Sequence, residues 1–332
     1  YSICYEDEIL ASGSKIFKVV SRHKNPLLHY WQWFNILLQN KGVYDVIVLN
    51  TNSLEYVFPL VLGKVFGIPV RVIHSHNSGF ENKQGLARRL LVGMNKKLLA
   101  WSANLRFACS QFAGQWMFKD NPYHVIYNAI DIHKYDADLI VREETRNALG
   151  LHTELTLLHV GRFSYQKNHS FLIDIFKEVH GIQPNSVLLL VGDTTEESEF
   201  LTEVKRKIKA YGLEHVVRLL GRRDDVNKIM QAADVLVMPS FFEGLTVVGI
   251  EAQASDLPLL LSDTVTKELE LLPSTQFISL DAGAKAWAEV IVNSKQHNRR
   301  SRYEELKVAG YDIGFETERV EKLLIDAYHE LA

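Results

Sequence analysis

The chain of 332 residues has only two cysteines, Cys4 and Cys109. Two isolated thiols build neither a disulfide framework nor a zinc-finger spacing, and such sparse use suits a reducing cytoplasm. Long apolar runs are missing too. None approaches the ~20 residues that span a bilayer, and no secretory leader pattern is visible. Neither sign of charge dominates, since 37 Lys and Arg stand against 40 Asp and Glu for a net charge of −3. That balance offers no general attraction for nucleic acid. Internal repeats and low-complexity tracts are absent. What remains is apolar side chain, 47% of the total, ample for two buried cores in a chain longer than one ordinary domain.

Residues 5–13 read as an acidic helix, 15–20 as a strand and 29–39 as an amphipathic helix. From residue 44 a rhythm sets in: strand at 44–49, polar loop at 50–53, helix at 54–66, and a strand at 70–73 opened by Pro69. Further strands are read at 155–160, 186–191, 216–220, 234–238, 259–261 and 277–280. Strand, helix and strand joined by short links predict an α/β chain with doubly wound parallel sheets. The expected domains are 1–135 and 154–310, each Rossmann-like, with a linker at 136–153 and a terminal helix at 311–332.

The organising stretch is residues 240–252, S-F-F-E-G-L-T-V-V-G-I-E-A. A buried strand precedes it and a helical pattern follows, so Glu243 sits in the strand-to-helix loop and Glu251 on the first turns of the helix. Thr246 is expected to cap that helix through its hydroxyl. The N–H groups of Val247 and Val248 would then face the crevice at the carboxyl end of the sheet, where ligands bind and helix N-termini favour phosphate. Two carboxylates beside an anion site suit a nucleotide sugar; the blander reading is carboxylates stabilising a helix dipole. Upstream, Arg162 and Lys167 flank a strand end at a spacing of five and can converge on one anion, or form a salt-bridged surface loop. His74 and His76 stand near another strand end. No carboxylate or cysteine completes a local metal set around them, which leaves a structural role bonded to loop carbonyls. On the helix at 85–101, Leu86, Leu90, Met94, Leu98 and Trp101 share one face and Arg88, Arg89 and Lys96 the other. The basic face is either merely solvated or a contact for anionic lipid.

These motifs together resemble the retaining family 4 glycosyltransferases. The matches are P-S-x-x-E-G-L-x-x-x-x-x-E-A at 239–252, G-R-x-x-x-x-K at 161–167, G-x-x-x-D-V at 221–226 and H-S-H-N at 74–77. The N-A-I-D at 128–131 is similar to the family's N-G-I-D, with Ala129 replacing its glycine, and Asp256 stands where the family usually has glycine in S-G-L-P.

The resemblance implies the GT-B fold, two Rossmann-like domains facing a cleft, with the terminal helix crossing back to the first. It implies transfer of a sugar from a nucleoside-diphosphate donor, a UDP-sugar first of all, to a hydroxyl acceptor with retention. The acceptor implied is a saccharide or polyprenyl-linked saccharide of bacterial exopolysaccharide or capsule synthesis, handled by a cytoplasmic enzyme peripheral on the inner face of the plasma membrane. Arg162 and Lys167, with the Gly161 loop, would grip the diphosphate in place of a metal, so neither metal nor cofactor is expected. Gly221 and Arg222 would border the nucleobase. Glu243 with the Gly244, Leu245 and Thr246 backbone would hold the donor sugar, and Glu251 the ribose hydroxyls. One of His74 and His76 would approach donor sugar and acceptor. Alternatives are a non-catalytic nucleotide-sugar-binding partner subunit and a GT-B nucleotide-sugar 2-epimerase. Because family members place a comparable acidic helix after an opening strand–helix–strand unit, about 30–50 residues are expected ahead of Tyr1.

Overall fold

Parallel strands covered by helices on both faces must be apolar along their whole length. Residues 187–190, 235–238 and 259–261 meet that demand, being buried without interruption. The computed structural model describes residues 6–76, 85–194, 198–294 and 298–331. The chain divides into two units, Tyr1–Val125 with Glu321–Ala332, and Ile126–Val320.

The first unit contains α1 (Glu6–Ala11), α2 (Pro26–Gln39), β1 (Val46–Thr51), α3 (Phe58–Val65), β2 (Val70–Ser75), α4 (Leu86–Ser102), β3 (Leu105–Ala108), α5 (Gln111–Phe118) and β4 (His124–Val125). Its sheet is parallel throughout, in the order β1-β2-β3-β4. Val70, Val72, Ile73 and Leu60 are fully enclosed in its core. Asn25 begins α2 by accepting from the Leu28 N–H, with Pro26 at the first helical position, where its missing donor costs nothing. The strand expected at 15–20 does not form. Its backbone is claimed by α2: the Val20 N–H donates to Gln32 Oε1 at 2.8 Å and the Val20 carbonyl accepts from His29 Nδ1 at 2.6 Å. β2 also runs two residues further than expected, placing His74 and Ser75 within the strand.

The second unit contains α6 (Leu139–Ala148), β5 (Leu155–Val160), α7 (His169–Ile182), β6 (Ser186–Val191), α8 (Glu199–Ala210), β7 (Val217–Gly221), α9 (Val226–Ala232), β8 (Val235–Met238), α10 (Val247–Ala254), β9 (Leu259–Ser262), β10 (Thr275–Ile278), α11 (Gly283–Asn293), α12 (Tyr303–Val308) and the start of α13 (Ile313–Leu331), whose residues from Glu321 onward belong to the first unit. Its parallel sheet has the order β10-β9-β8-β5-β6-β7. The chain runs outward from β5 through β6 to β7, then returns to the other side of β5 with β8. The topological switch point therefore lies between β5 and β8.

Residues 136–153, read from sequence as a linker, belong to this second unit. Arg142 and Arg146 of α6 donate to the carbonyls of Gln231, Ala232 and Ala233 at the end of α9, and Arg299 adds a third guanidinium to the same carbonyl cluster. Cations at a helix C-terminus satisfy its orphan carbonyls and its dipole. Asp234 accepts from Arg142 and tempers the like charges.

Candidate functional site

The loops after β5 and β8 emerge side by side because those strands pair at Leu157–Val235 and Leu158–Leu236. After β5 come Gly161, Arg162 and a single 3₁₀ turn, Tyr165–Lys167, ended by Asn168 in the left-handed conformation (φ 51°). Gly161 sits at a close approach. A Cβ there would lie 3.0 Å from Lys167 Cε, so the lysine stem folds directly over it. At Gly192, after β6, a Cβ would meet the Gly161 carbonyl at 2.2 Å.

The two loops are stitched together. The Phe241 N–H donates to the Gln166 carbonyl at 2.9 Å, and Asn168 Nδ2 donates to the Pro239 carbonyl at 3.0 Å. At their junction the Lys167 ammonium pairs with Glu243 Oε1 at 2.7 Å, with the two side chains only 14% and 7% exposed. Ser240 Oγ donates to the same oxygen and Gln166 Nε2 to the other, both at 2.9 Å. Glu243 is thus held by three donors and bridges to Val265 beyond β9. The sequence reading gave Lys167 to a diphosphate and Glu243 to a sugar; in this structure they neutralise one another, while Arg162 on the same loop is exposed. Ser240 stood in the 239–252 motif without a role of its own, and Gln166 was not singled out by sequence, for a polar residue in a polar loop carries no spacing signal.

Thr246 occupies the N-cap of α10, but its hydroxyl makes no capping bond. Its methyl is turned toward the first turn, 3.2 Å from where a Gly249 Cβ would be. The expected side-chain cap is therefore absent, and the N-terminal end of α10, with Val247 exposed and Val248 half-buried, carries no competing oxygen from Thr246. Glu251 sits on the next turn and accepts from the Tyr135 hydroxyl at 2.6 Å. Burial raises its pKa above the usual carboxylate value, opposed in part by Tyr135 and by the charge of Lys134. Tyr135 comes from a short 3₁₀ turn, Ile132–Tyr135, and nothing in its sequence context marks it.

Gly221 ends β7 at φ 68°, beside exposed Arg222. Arg223 grips Asp225 through two bonds of 2.8 and 2.6 Å, which fixes the turn into α9. Gly244 is exposed and Leu245 buried. Behind the β5 loop lie His159 and His169, both buried, their ring centroids 4.5 Å apart. Burial holds them neutral, with pKa values lowered to about 4 and about 2. His169 stacks on Phe163 at 4.4 Å, and neither of its ring nitrogens has a partner among the described residues.

In the first unit, His74 and His76 project from the end of β2 with ring centroids 4.1 Å apart. Burial lowers both, His74 to about 4 with help from its neighbour. His76 Nε2 is 2.9 Å from Asn50 Oδ1, so the amide oxygen accepts and fixes one tautomer. Asn77 lies outside the described residues. Among the described residues no three His, Cys, Asp or Glu converge as metal ligands, and no helix is long and apolar enough to cross a membrane.

Residues 141–299 match the family described as glycosyl transferases group 1. Over 98% of its length the chain is 28% identical to 85% of a putative glycosyltransferase, EpsF, of Bacillus subtilis strain 168. It is 24% identical, over 87% of itself and 77% of the relative, to an Escherichia coli enzyme named UDP-Gal:α-D-GlcNAc-diphosphoundecaprenol α-1,3-galactosyltransferase. Among solved structures, Anabaena HepE in complex with UDP superposes with a TM-score of 0.77 at 19% identity, covering 97% of this chain and 89% of that one. Two parallel-sheet units, paired loops at the switch point of the second, and these matches agree: the chain belongs to the group 1 glycosyltransferases and has the GT-B fold.

Proposed function

We propose that this glycosyltransferase takes its sugar from a UDP-sugar and passes it, with retention at the anomeric carbon, to a saccharide carried on a polyprenyl diphosphate, in the synthesis of a bacterial surface polysaccharide. The observation that carries the reading is the Lys167–Glu243 pair beside the switch point, with Arg162 exposed on the same loop as Lys167 and the uncapped start of α10 three residues past Glu243. That is where open α/β sheets bind ligands and where helix N–H groups favour phosphate. Support for the donor comes from HepE, which was solved with UDP, and for the acceptor from the name of the E. coli relative.

In this mechanism the diphosphate displaces the Lys167–Glu243 pair. Arg162 and Lys167 then neutralise the charge that grows on the leaving group, the kind of fixed electrostatic stabilisation that often dominates catalysis. Gly221 and Arg222 border the base, Glu251 takes the ribose hydroxyls, and Glu243, released from the lysine, takes sugar hydroxyls together with the 244–246 backbone. His74 or His76, both neutral at physiological pH, contacts donor sugar and acceptor. The acceptor oxygen attacks as the diphosphate departs on the same face. No metal is required for this charge balance.

The enzyme is proposed to act from the inner face of the plasma membrane. Leu86, Leu90, Met94 and Trp101 of α4 are exposed, while Asn95, Leu99 and Ser102 form its buried side. The helix also carries Arg88, Arg89, Lys96 and Lys97 and no acidic residue, as anionic lipid would favour.

The test is incubation with a panel of labelled UDP-sugars and a polyprenyl-diphosphate saccharide, with and without EDTA, and NMR assignment of the product anomer. Transfer that survives chelation with the donor's configuration kept is expected. An inverted product, or loss of transfer with EDTA, overturns the mechanism.

A further inference from the structure

In the first unit, residues of α4, β3 and α5, with Leu54, line a cavity of about 120 Å³. Its floor is apolar and buried: Leu54, Leu99, Met117 and Phe118. Three cations from three different elements line it, namely Lys96 from α4, Arg106 from β3 and Lys119 just after α5. No carboxylate lines it; Asp120, though next to Lys119 in the chain, is not among the lining residues. None of the three cations has an ion-pair partner among the described residues. This is unexpected in a chain whose acidic residues outnumber its basic ones, 40 to 37. Arg106 is half-buried and the two lysines are exposed at the mouth of the recess, so the three like charges repel one another and favour an anion between them.

Lys119 adds a second, independent sign. Its backbone has φ 53° and ψ −116°, a region that a side-chain-bearing residue rarely adopts. Glycine would relieve that strain at no steric cost, yet the position carries a lysine, and strained backbone tends to gather at functional sites. Asn121 helps hold the conformation by donating from its side chain to the Phe118 carbonyl at 2.9 Å.

We propose that this cavity is a binding site for a phosphate group, gripped by Lys96, Arg106 and Lys119, with any apolar substituent of the phosphate resting on Leu54, Leu99, Met117 and Phe118. The chemistry is shared by an anionic lipid headgroup and by free phosphate. Its residues all belong to the first unit, and the donor loops to the second.

The test is thermal unfolding of the full chain against inorganic phosphate at constant ionic strength, because a ligand of the folded state raises the melting temperature. Wild type is compared with the K96Q/K119Q double variant and with Arg162→Ala. Both lysines are exposed, so the double variant keeps its fold; Lys119→Gly provides a second variant suited to the left-handed backbone. The phosphate-dependent rise is expected to persist in Arg162→Ala and to need about ten-fold more phosphate in K96Q/K119Q, as loss of charge-assisted contacts implies. Dihexanoyl phosphatidic acid separates the sources. Binding tighter than that of inorganic phosphate identifies a lipid headgroup, and equal binding identifies free phosphate. An identical rise in wild type and K96Q/K119Q, or no rise in Arg162→Ala, overturns the proposal.

Discussion

Arg162 and Lys167 occupy one loop and carry one charge each, but the structure separates their roles. Lys167 is nearly enclosed against Glu243, whereas Arg162 is open to solvent. Breaking a buried pair strands a charge and typically costs about 3–5 kcal/mol. Lys167→Ala should therefore lower both turnover and melting temperature. Arg162→Ala should lower turnover more than donor affinity, because charge peaks in the transition state, and leave the melting temperature unchanged. Paired kinetic and unfolding measurements check this; equal thermal effects would contradict the assignment. Glu251 is the converse case. Burial disfavours its charged form, so its folded pKa lies above the unfolded one. Such a group adds stability below the usual carboxylate pKa and loses it as pH rises through the raised value. Glu251→Gln should accordingly be more stable than wild type at pH 7, the difference closing as pH falls toward 4. It should also bind UDP more weakly, by about 1–3 kcal/mol. Titration calorimetry and pH-dependent unfolding would show no change in either quantity if Glu251 merely fills space.

Asp256 shows how a residue-level rule fails without its surroundings. From sequence it replaces a glycine at a left-handed position, which reads as a local cost. It does adopt φ 48°, but its enclosed carboxylate accepts from Arg302 Nε at 2.8 Å and the Arg300 N–H at 3.0 Å. The partners lie more than forty residues away in the chain, beyond the reach of any local pattern.

At the scale of elements, strong parallel strands were legible because continuous burial leaves a continuous apolar run. β5 and β6 form where the sequence places them. The 15–20 segment has equally good strand residues but no neighbouring strand among the described residues; at Val20 both backbone groups are taken by side chains of α2. The amphipathic pattern of α4 was also legible, yet amphipathicity says only that two faces differ. The structure turns its larger apolar face outward and packs the helix through Asn95, Leu99 and Ser102. Asn95 Nδ2 donates to the Leu54 carbonyl at 2.8 Å and anchors that orientation. If the outward face meets anionic lipid, the protein should pellet with vesicles rich in phosphatidylglycerol and release at high salt, where charge is screened within a few ångströms. Changing Arg88, Arg89, Lys96 and Lys97 together to Gln should abolish that sedimentation. Equal pelleting with phosphatidylcholine vesicles would assign the interaction to the apolar face alone.

For the whole molecule, the sequence by itself determined the fold class and the residue types of the candidate site. Alternating apolar runs and short links leave few architectures other than parallel α/β, and the glycines, cations and carboxylates of the two strand-end loops are set at fixed spacing by local geometry. Strand order is different in kind. Only the tertiary structure placed β8 beside β5, and with it brought residues 161–168 against 239–246. The mutual neutralisation of Lys167 and Glu243, the Tyr135 hydroxyl on Glu251 and the turning of Thr246 away from its cap all follow from that arrangement or from contacts like it. Each joins groups far apart in the chain or chooses between side-chain orientations of equal local merit. Such choices are decided by what packs against them, because a hydrogen bond or ion pair depends on distance in space and the sequence records only distance along the backbone.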